Sequence, residues 1–277
     1  MDLRDKVALV TGASSGIGAA TALAMAKAGM RVAIVARRAD RLAELREVIR
    51  TTGGTAHAIT CDMAVAGHAA GLLSEVESAL GPVDVVFANA GYGLELTVAE
   101  TSTEQLRRLF EVNVFAATDL LSEAARRLRA SGRRGHLLMC SSCIARYALP
   151  RVGVYAAAKA AQLSICQAMR AELEGAGIMV SSVHPIATET EFYPQMQSAS
   201  GRELAAGERF PLVPDHAPRL FVQSPDVVAQ AVVKCLRNPR PEVWTSFSAR
   251  LAGAVFALSP RLHDRVMRRS QRRPRRN

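Results

Sequence analysis

Tyr155 and Lys159 stand four positions apart, a spacing that puts two side chains one turn apart on the same face of a helix. A free phenol titrates near pH ~10 and is a poor base at neutrality. An ammonium one turn away favours the phenolate, so the pair suits a side chain that lends and recovers a proton. Ser142 lies thirteen residues before Tyr155. A hydroxyl there can hydrogen-bond the oxygen with which Tyr155 exchanges its proton. Ser141, one position earlier, offers the same chemistry.

A second set of residues has the form of a phosphate cradle. The segment TGASSGIG at 11–18 carries Gly12, Gly16 and Gly18 between a strand-like and a helix-like run. Such glycines permit a tight turn, close approach of the backbone to a pyrophosphate, and close packing of the next helix, whose first N–H groups face the phosphates. About 20 residues past the last glycine lies the position that reads the adenosine ribose. An acid there would bind a free 2′-hydroxyl; this chain has Ala36, Arg37 and Arg38. A guanidinium suits a 2′-phosphate. NADP(H) is therefore the expected cofactor, against the plainer reading that two arginines solvate a helix start. Asp62 and Asn89-Ala90-Gly91 end the third and fourth strand-like runs, at the edge where open parallel sheets bind ligands. Turn chemistry accounts for part of the Asn89 choice.

These residues need a scaffold that gathers strand ends. Strand-like runs at 6–12, 31–37, 55–61, 83–88, 135–141, 178–184 and 242–247 alternate with helix-like stretches at 16–29, 39–52, 66–80, 102–130, 152–175 and 224–237. The strand runs are short and apolar without strict alternation, as for strands buried on both faces. The order predicts an α/β fold: a Rossmann-type doubly wound parallel sheet of about seven strands flanked by helices, with right-handed crossovers. Ser102 with Gln105 reads as a capping box, and Ser224-Pro225 as an N-cap followed by a first-turn proline. Gly29, Gly53 and Gly132 fall where helices should stop.

The chain has 277 residues, 49% of them hydrophobic, and no repeat or low-complexity linker divides 1–247, so one catalytic domain is expected there. Residues 190–223 form a long insertion between a strand and a helix. Phe192, Tyr193, Met196, Phe210, Leu212, Val213, Leu220 and Phe221 make it too apolar for plain disorder, and a substrate loop is expected. The five cysteines, Cys140-x-x-Cys143 among them, have no disulfide framework or metal-site spacing, and the six histidines show none either. Reduced thiols and no metal are expected. The opening MDLRDKVALVTG lacks a signal-peptide pattern, and no apolar run reaches the ~18 residues of a membrane span. A cytoplasmic protein, at most peripheral to a membrane, is expected.

The net charge of +10 is uneven: residues 248–277 hold nine Arg against Asp264, a local +8. Phe247, Leu251, Val255, Leu258, Leu262 and Val266 recur at helical spacing, and Ser259-Pro260 marks a stop and restart, so two short helices precede a charged end expected to be disordered. An apolar stripe beside cations fits a helix lying on an anionic membrane, and equally a terminal helix packed on the body or on a partner subunit.

Taken together, the chain resembles the short-chain dehydrogenase/reductase family in its common single-domain form. The resemblance rests on TGASSGIG, Asp62, NAG at 89–91, Asn113, Ser142 and the YxxxK of 155–159, in family order along 6–190. It implies a catalytic tetrad of Asn113, Ser142, Tyr155 and Lys159, with Ser142 rather than Ser141 chosen by the family's distance to the tyrosine. It also implies that Asn113 helps hold a water in a proton relay ending at Lys159, and that Lys159 binds the nicotinamide ribose. The cofactor site it implies comprises Gly12, Ser14, Ser15, Gly16, Ile17, Gly18, Arg37, Arg38, Asp62, Met63, Asn89, Ala90, Gly91, Tyr155, Lys159, Pro185, Thr188 and Thr190. The implied substrate site includes Ser142, Ile144, Tyr147, Tyr155 and Phe192. One position departs: Ile186 stands where the family has glycine after Pro185. Isoleucine accepts neither positive φ nor close backbone approach, so a different loop path is expected.

The function so implied is an NADP(H)-dependent oxidoreductase that interconverts a carbonyl and a secondary alcohol. Tyr92, Leu94, Ile144, Tyr147 and Leu149, in loops after the fourth and fifth strands, point to an apolar small-molecule substrate. A homodimer or homotetramer paired through 102–130 and 152–175, as the resemblance implies, is expected, since both stretches are apolar on wide faces (Leu106, Phe110, Val114, Leu120, Leu121; Val154, Leu163, Ile165, Met169). The alternative is a nucleotide-binding sensor or scaffold without catalysis, against which the complete tetrad argues. Nothing in the body interleaves aromatic and basic residues for nucleic acid, which is not an expected partner. Glu95, just beyond NAGYG, reads as a solvated loop acid, and Asn113, among apolar neighbours, needs a specific partner to be buried.

Overall fold

The computed structural model describes residues 2–65, 67–202, 211–213 and 221–271. Phe210 and Leu220 of the expected substrate loop, and the charged end at 272–277, lie outside the described residues. The strands are β1 (Val7–Thr11), β2 (Arg31–Ala36), β3 (Thr55–Thr60), β4 (Val85–Ala88), β5 (Gly135–Cys140), β6 (Ile178–His184), β7 (Ala187–Thr188), β8 (Val222–Gln223) and β9 (Glu242–Trp244). The helices are α1 (Gly16–Lys27), α2 (Ala39–Thr51), α3 (His68–Leu80), α4 (Thr103–Phe110), α5 (Ala116–Ala130), α6 (Gly153–Leu173), α7 (Phe192–Ala199), α8 (Pro225–Arg237), α9 (Phe247–Leu258) and α10 (Pro260–Gln271).

Seven strands form one parallel sheet in the order β3-β2-β1-β4-β5-β6-β9, the doubly wound arrangement expected from the alternation of elements. Successive residues of a strand feed opposite faces. Val7 and Leu9 join one core with residues of α3, α5 and α6; Ala8 and Val10 join the other with residues of α1, α2 and α8. Burial on both faces explains why the strands read as continuous apolar runs. The order reverses beside β1, whose neighbours are β2 and β4, and the crevice beyond their carboxyl ends is where such sheets bind ligands.

The helix ends follow local chemistry. Ser102 and Gln105 form the expected reciprocal capping box, and Gly29, Gly53 and Gly132 take φ of +89°, +80° and +62° at helix stops. Ser224 sits at the N-cap before Pro225 but its side chain makes no capping bond. The expected strand 242–247 ends at Trp244, because Ser246 turns to cap α9 by accepting from the Ala249 N–H. The expected continuous helix 102–130 is interrupted: a π-helical segment, Glu111–Phe115, separates α4 from α5. Such bulges collect at functional sites, and this one carries Asn113.

Candidate active site

A single cleft of about 870 Å³ runs along the carboxyl edge of the sheet, from Gly12 and Arg37 at one end to Leu212 and Phe221 at the other. Its first third is the glycine loop. A Cβ on Gly18 would lie 2.2 Å from the Gly12 carbonyl oxygen, one on Gly12 2.9 Å from the Ala90 Cα, and one on Gly16 2.8 Å from the Thr190 side chain. At Gly12 and Gly18 a side chain would displace backbone, and at Gly16 it would displace the Thr190 side chain, so the loop needs glycine at all three positions. Thr11, which sequence reasoning passed over, fastens it. Its hydroxyl accepts from the N–H groups of Asn89 and Ala90 at 3.0 Å each, while Asn89 Nδ2 donates to the Thr11 carbonyl. The buried threonine before the first glycine was the available signal.

Ala36, Arg37 and Arg38 reach the cleft at the end of β2. Arg38 is already engaged: it donates to the Ser14 hydroxyl and pairs with Glu191 at 2.8 Å. Arg37 is exposed at the cleft wall. Ser14, Ser15, Ile17, Asp62, Met63, Asn89, Ala90, Gly91, Pro185, Thr188 and Thr190 also line the cleft. Gly18 and Asn113 do not; both are buried behind it. Ile186 lines the cleft without a positive φ, and the loop is held by Thr188 Oγ1 donating to the Ile186 carbonyl and by Cys143 N donating to Pro185. This backbone path is one isoleucine can follow.

The four residues expected to form the tetrad come from three elements. Asn113, fully buried, grips the backbone of Tyr92 from both sides: Oδ1 accepts from its N–H at 3.0 Å and Nδ2 donates to its carbonyl at 2.8 Å. The Asn113 carbonyl accepts from Gln162 of α6. Asn113 thereby ties the π-helical segment to the loop following Asn89-Ala90-Gly91. Lys159 is buried and its Nζ donates to the Cys140 carbonyl at 2.8 Å, with the ammonium 5.4 Å from the centre of the Tyr155 ring. The two serines part company. Ser141 donates to the Lys159 carbonyl at 2.9 Å, whereas the Ser142 hydroxyl accepts from the Ile144 N–H and lines the cleft together with Tyr155. His184, another residue not singled out by sequence, holds Ser142 from below. Its Nδ1 donates to the Ser142 carbonyl, its Nε2 accepts from Ser182, and its ring stacks on Trp244 at 4.3 Å.

Burial weighs on both titratable groups of the site. Burial pushes the Tyr155 phenol well above its ordinary value, Cys140 and Cys143 push the same way, and the Ser142 hydroxyl opposes them. Burial draws the Lys159 ammonium down to about 8, with Cys140 opposing. The Lys159 ammonium sits over the Tyr155 ring and is bonded to the Cys140 carbonyl rather than to the phenol oxygen. Desolvation of the phenolate wins. The His184 ring is kept neutral, pushed down to about 4 by burial.

The far end of the cleft is apolar. Leu94, Ile144, Tyr147, Leu149, Phe192 and Met196 face it, and the Phe192 ring lies 5.5 Å from that of Tyr155. Glu95 is not a solvated acid. Only 6% exposed, it accepts from Gln197 and Tyr193 of α7, and Arg151 stands at 3.6 Å. A buried carboxylate needs such partners, and they pin α7 over the pocket. Ala249 of α9 also lines the cleft.

The profile of the family described as short chain dehydrogenase matches residues 6–200. The chain belongs to the short-chain dehydrogenase family. An uncharacterized oxidoreductase of Mycobacterium tuberculosis, Rv1543, is 31% identical over 97% of this chain and 74% of its own length. The glycine betaine reductase ATRR of Emericella nidulans is 35% identical over 86% of this chain, which spans only 18% of that protein. An alcohol dehydrogenase from the archaeon Thermococcus sibiricus, solved with 5-hydroxy-NADP, matches at TM-score 0.72 and 27% identity, covering 86% of this chain and 95% of its own. A short chain dehydrogenase/reductase from Burkholderia phymatum, solved with NAD, matches at TM-score 0.81 over 100% of this chain and 99% of its own; at 21% identity it attests the fold alone. This short-chain dehydrogenase is thus an oxidoreductase of a family that uses NAD or NADP on CH–OH and C=O groups. Among the described residues no helix is long and apolar enough to cross a membrane.

Proposed function

We propose that this short-chain dehydrogenase is an NADP(H)-dependent enzyme that interconverts an apolar carbonyl compound and its secondary alcohol. The observation that carries the reading is the opening of Ser142 and Tyr155 onto the same cleft as the glycine cradle, with Lys159 beneath them. The cradle fits a dinucleotide: Gly12 and Gly18 let backbone approach backbone where a Cβ would clash, and Gly12 and Gly16 take positive φ, at the N-terminus of α1. Gly12, Ser14, Ser15, Gly16, Ile17 and Asn89 would hold its phosphates and adenine side, and Arg37 with Arg38 a 2′-phosphate. When bound, the nicotinamide supplies or accepts the hydride at the carbinol carbon.

The chain's own residues manage the oxygen. In reduction, Tyr155 donates its proton to the carbonyl oxygen as negative charge builds there, and Ser142 donates a hydrogen bond to the same atom. A phenol raised by burial is protonated at neutral pH, which suits this direction. In oxidation Tyr155 must first lose that proton, and the Lys159 ammonium stabilises the phenolate. Asn113 keeps the loop at Tyr92 fixed and, in this reading, helps hold the relay water near Lys159. Ile144, Tyr147 and Phe192 exclude water and orient an apolar substrate.

We also infer a homo-oligomer in a reducing, cytoplasmic compartment, the free state of all five cysteines being consistent with the latter. Leu120, Leu121, Val154, Leu163 and Met169, expected to support pairing, belong instead to the chain's own core, whereas Leu106 is 39% and Phe115 56% exposed. Those two residues carry the inference. The reaction is tested by following nicotinamide absorbance with NADPH against a panel of apolar ketones and aldehydes, and with NADP⁺ against the matching alcohols. Tight NADPH binding without turnover on any member would favour a sensor.

A further inference from the structure

The two C-terminal helices present opposite chemistry to the protein and to solvent. The inner side of α9 belongs to the body. Ala249 is 3% exposed and lines the substrate end of the cleft, a Cβ on Gly253 would meet Arg146 and Tyr147, and Phe256 packs edge-on against the Tyr147 ring at 5.4 Å. Helix α10 is pinned through His263, whose Nε2 donates to the Ala148 carbonyl and whose ring meets Phe256. The outer side is apolar and, among the described residues, exposed. Phe247 is 78% exposed, Leu251 54% and Leu258 87%, with Val255, Leu262 and Val266 near 37%. The packing expected for this stripe is therefore made by other residues, and the stripe itself faces outward.

Cations accompany the stripe. Arg250, Arg261, Arg265, Arg268 and Arg269 are all exposed, and Arg265 and Arg269 share the helical face of Leu262 and Val266. Four more arginines follow in the sequence, and Asp264 is the one acid of 248–277. We propose that α9 and α10 form a docking surface for an anionic lipid bilayer, with the stripe in the acyl boundary and the arginines on the headgroups. Apolar burial and cation–headgroup attraction act together at such an interface, and arginine can reach the headgroups along its own apolar stem. A second copy fits worse, since it would bring two segments of +8 face to face. A nucleic acid would leave Phe247, Leu251 and Leu258 in water. Because Ala249 walls the cleft from the other side of the same helix, the bilayer would lie about one helix diameter, ~10 Å, from the substrate pocket.

Docking does not depend on the reaction proposed above, and flotation reads it without turnover. The full-length chain is floated at low salt with vesicles of phosphatidylcholine alone or of phosphatidylcholine mixed with phosphatidylglycerol. It is expected to float with the mixed vesicles, to bind the neutral ones at least ~10-fold less, and to be released by high salt. Leu251→Gln with Leu258→Gln, at exposed positions outside the cleft, should lower the mixed-vesicle partition at least ~10-fold. Replacing Arg261, Arg265, Arg268 and Arg269 by Gln should lower it by ~100-fold or more. Circular dichroism and NADPH binding report that each variant is folded. No flotation of the folded wild type at low salt overturns the proposal, as does a partition unchanged in either variant. Loss of self-association in the leucine variant, without any vesicle binding by the wild type, would assign the stripe to a second copy.

Discussion

The Ser141 hydroxyl is tied to the Lys159 carbonyl at 2.9 Å, so two adjacent serines have opposite duties. One fastens the end of β5 to the helix that carries Tyr155 and Lys159; the other opens on the cleft. Ser142→Ala should lower kcat by ~10²-fold with little change in NADPH affinity, since it removes a hydrogen bond that strengthens as charge develops. Ser141→Ala should cost about 1 kcal/mol in urea unfolding and leave kcat within a few-fold. A larger kcat loss for Ser141→Ala than for Ser142→Ala would exchange their roles.

Tyr155→Phe keeps the ring beside Phe192 and removes the proton. Turnover is expected to fall ~10²-fold or more, while NADPH fluorescence titration gives a nearly unchanged Kd. Near-wild-type kcat in this variant would remove Tyr155 from the mechanism.

Arg37 is exposed at the cleft wall, whereas Arg38 is held by Ser14 and Glu191. Arg37→Asp should reverse the preference between NADPH and NADH in kcat/KM, because a carboxylate repels the 2′-phosphate and accepts from the free 2′-hydroxyl. Arg38→Ala should weaken both cofactors, since it also frees Ser14 of the glycine loop. Equal use of NADH and NADPH by the wild type would leave Arg37 without a selective role.

Lys159 is drawn from 10.5 to about 8 by burial. It is charged below that pH and neutral above it, so kcat for reduction should decline as pH rises through about 8. Between about 8 and 10.5 the unfolded chain retains a proton the folded chain has lost, so the Lys159 contribution to stability rises with pH there. A pH–rate profile flat from 7 to 9 would contradict this assignment.

His136 is fully buried, with Nε2 at 2.8 Å from Ser181, and burial lowers it from 6.5 to about 4. As pH falls from 6.5 toward 4 the unfolded chain gains a proton the folded chain does not take, so stability is lost across that window, on the order of 3 kcal/mol. The urea midpoint should therefore drop less between pH 7 and pH 5 in His136→Gln than in the wild type.

The sheet was legible because each of its strands carries its own signal. KVALVTG, RVAIVAR and GHLLMCS are apolar without alternation, which only burial on both faces explains, and their separation by helix-length segments leaves parallel crossovers as the economical topology. The glycine cradle and the Tyr155–Lys159 pair were legible for the same reason: their geometry is set by neighbours within a few residues. Other features depend on residues distant in sequence. Which serine hydroxyl is engaged by the backbone depends on Lys159, eighteen positions beyond Ser141. The burial of Glu95 depends on Gln197, and the break of the expected helix at Glu111–Phe115 comes where Asn113 meets Tyr92 and Gln162.

By itself, then, the sequence determined the order of elements, the phosphate cradle and the Tyr–Lys turn, all written in local periodicity and steric need. Only the tertiary structure decided the upward shift of the Tyr155 phenol, the outward face of α9 and the closing of the pocket by Ala249. The first depends on how much water the fold removes from the phenol, and the other two on which side of an amphipathic helix finds a partner.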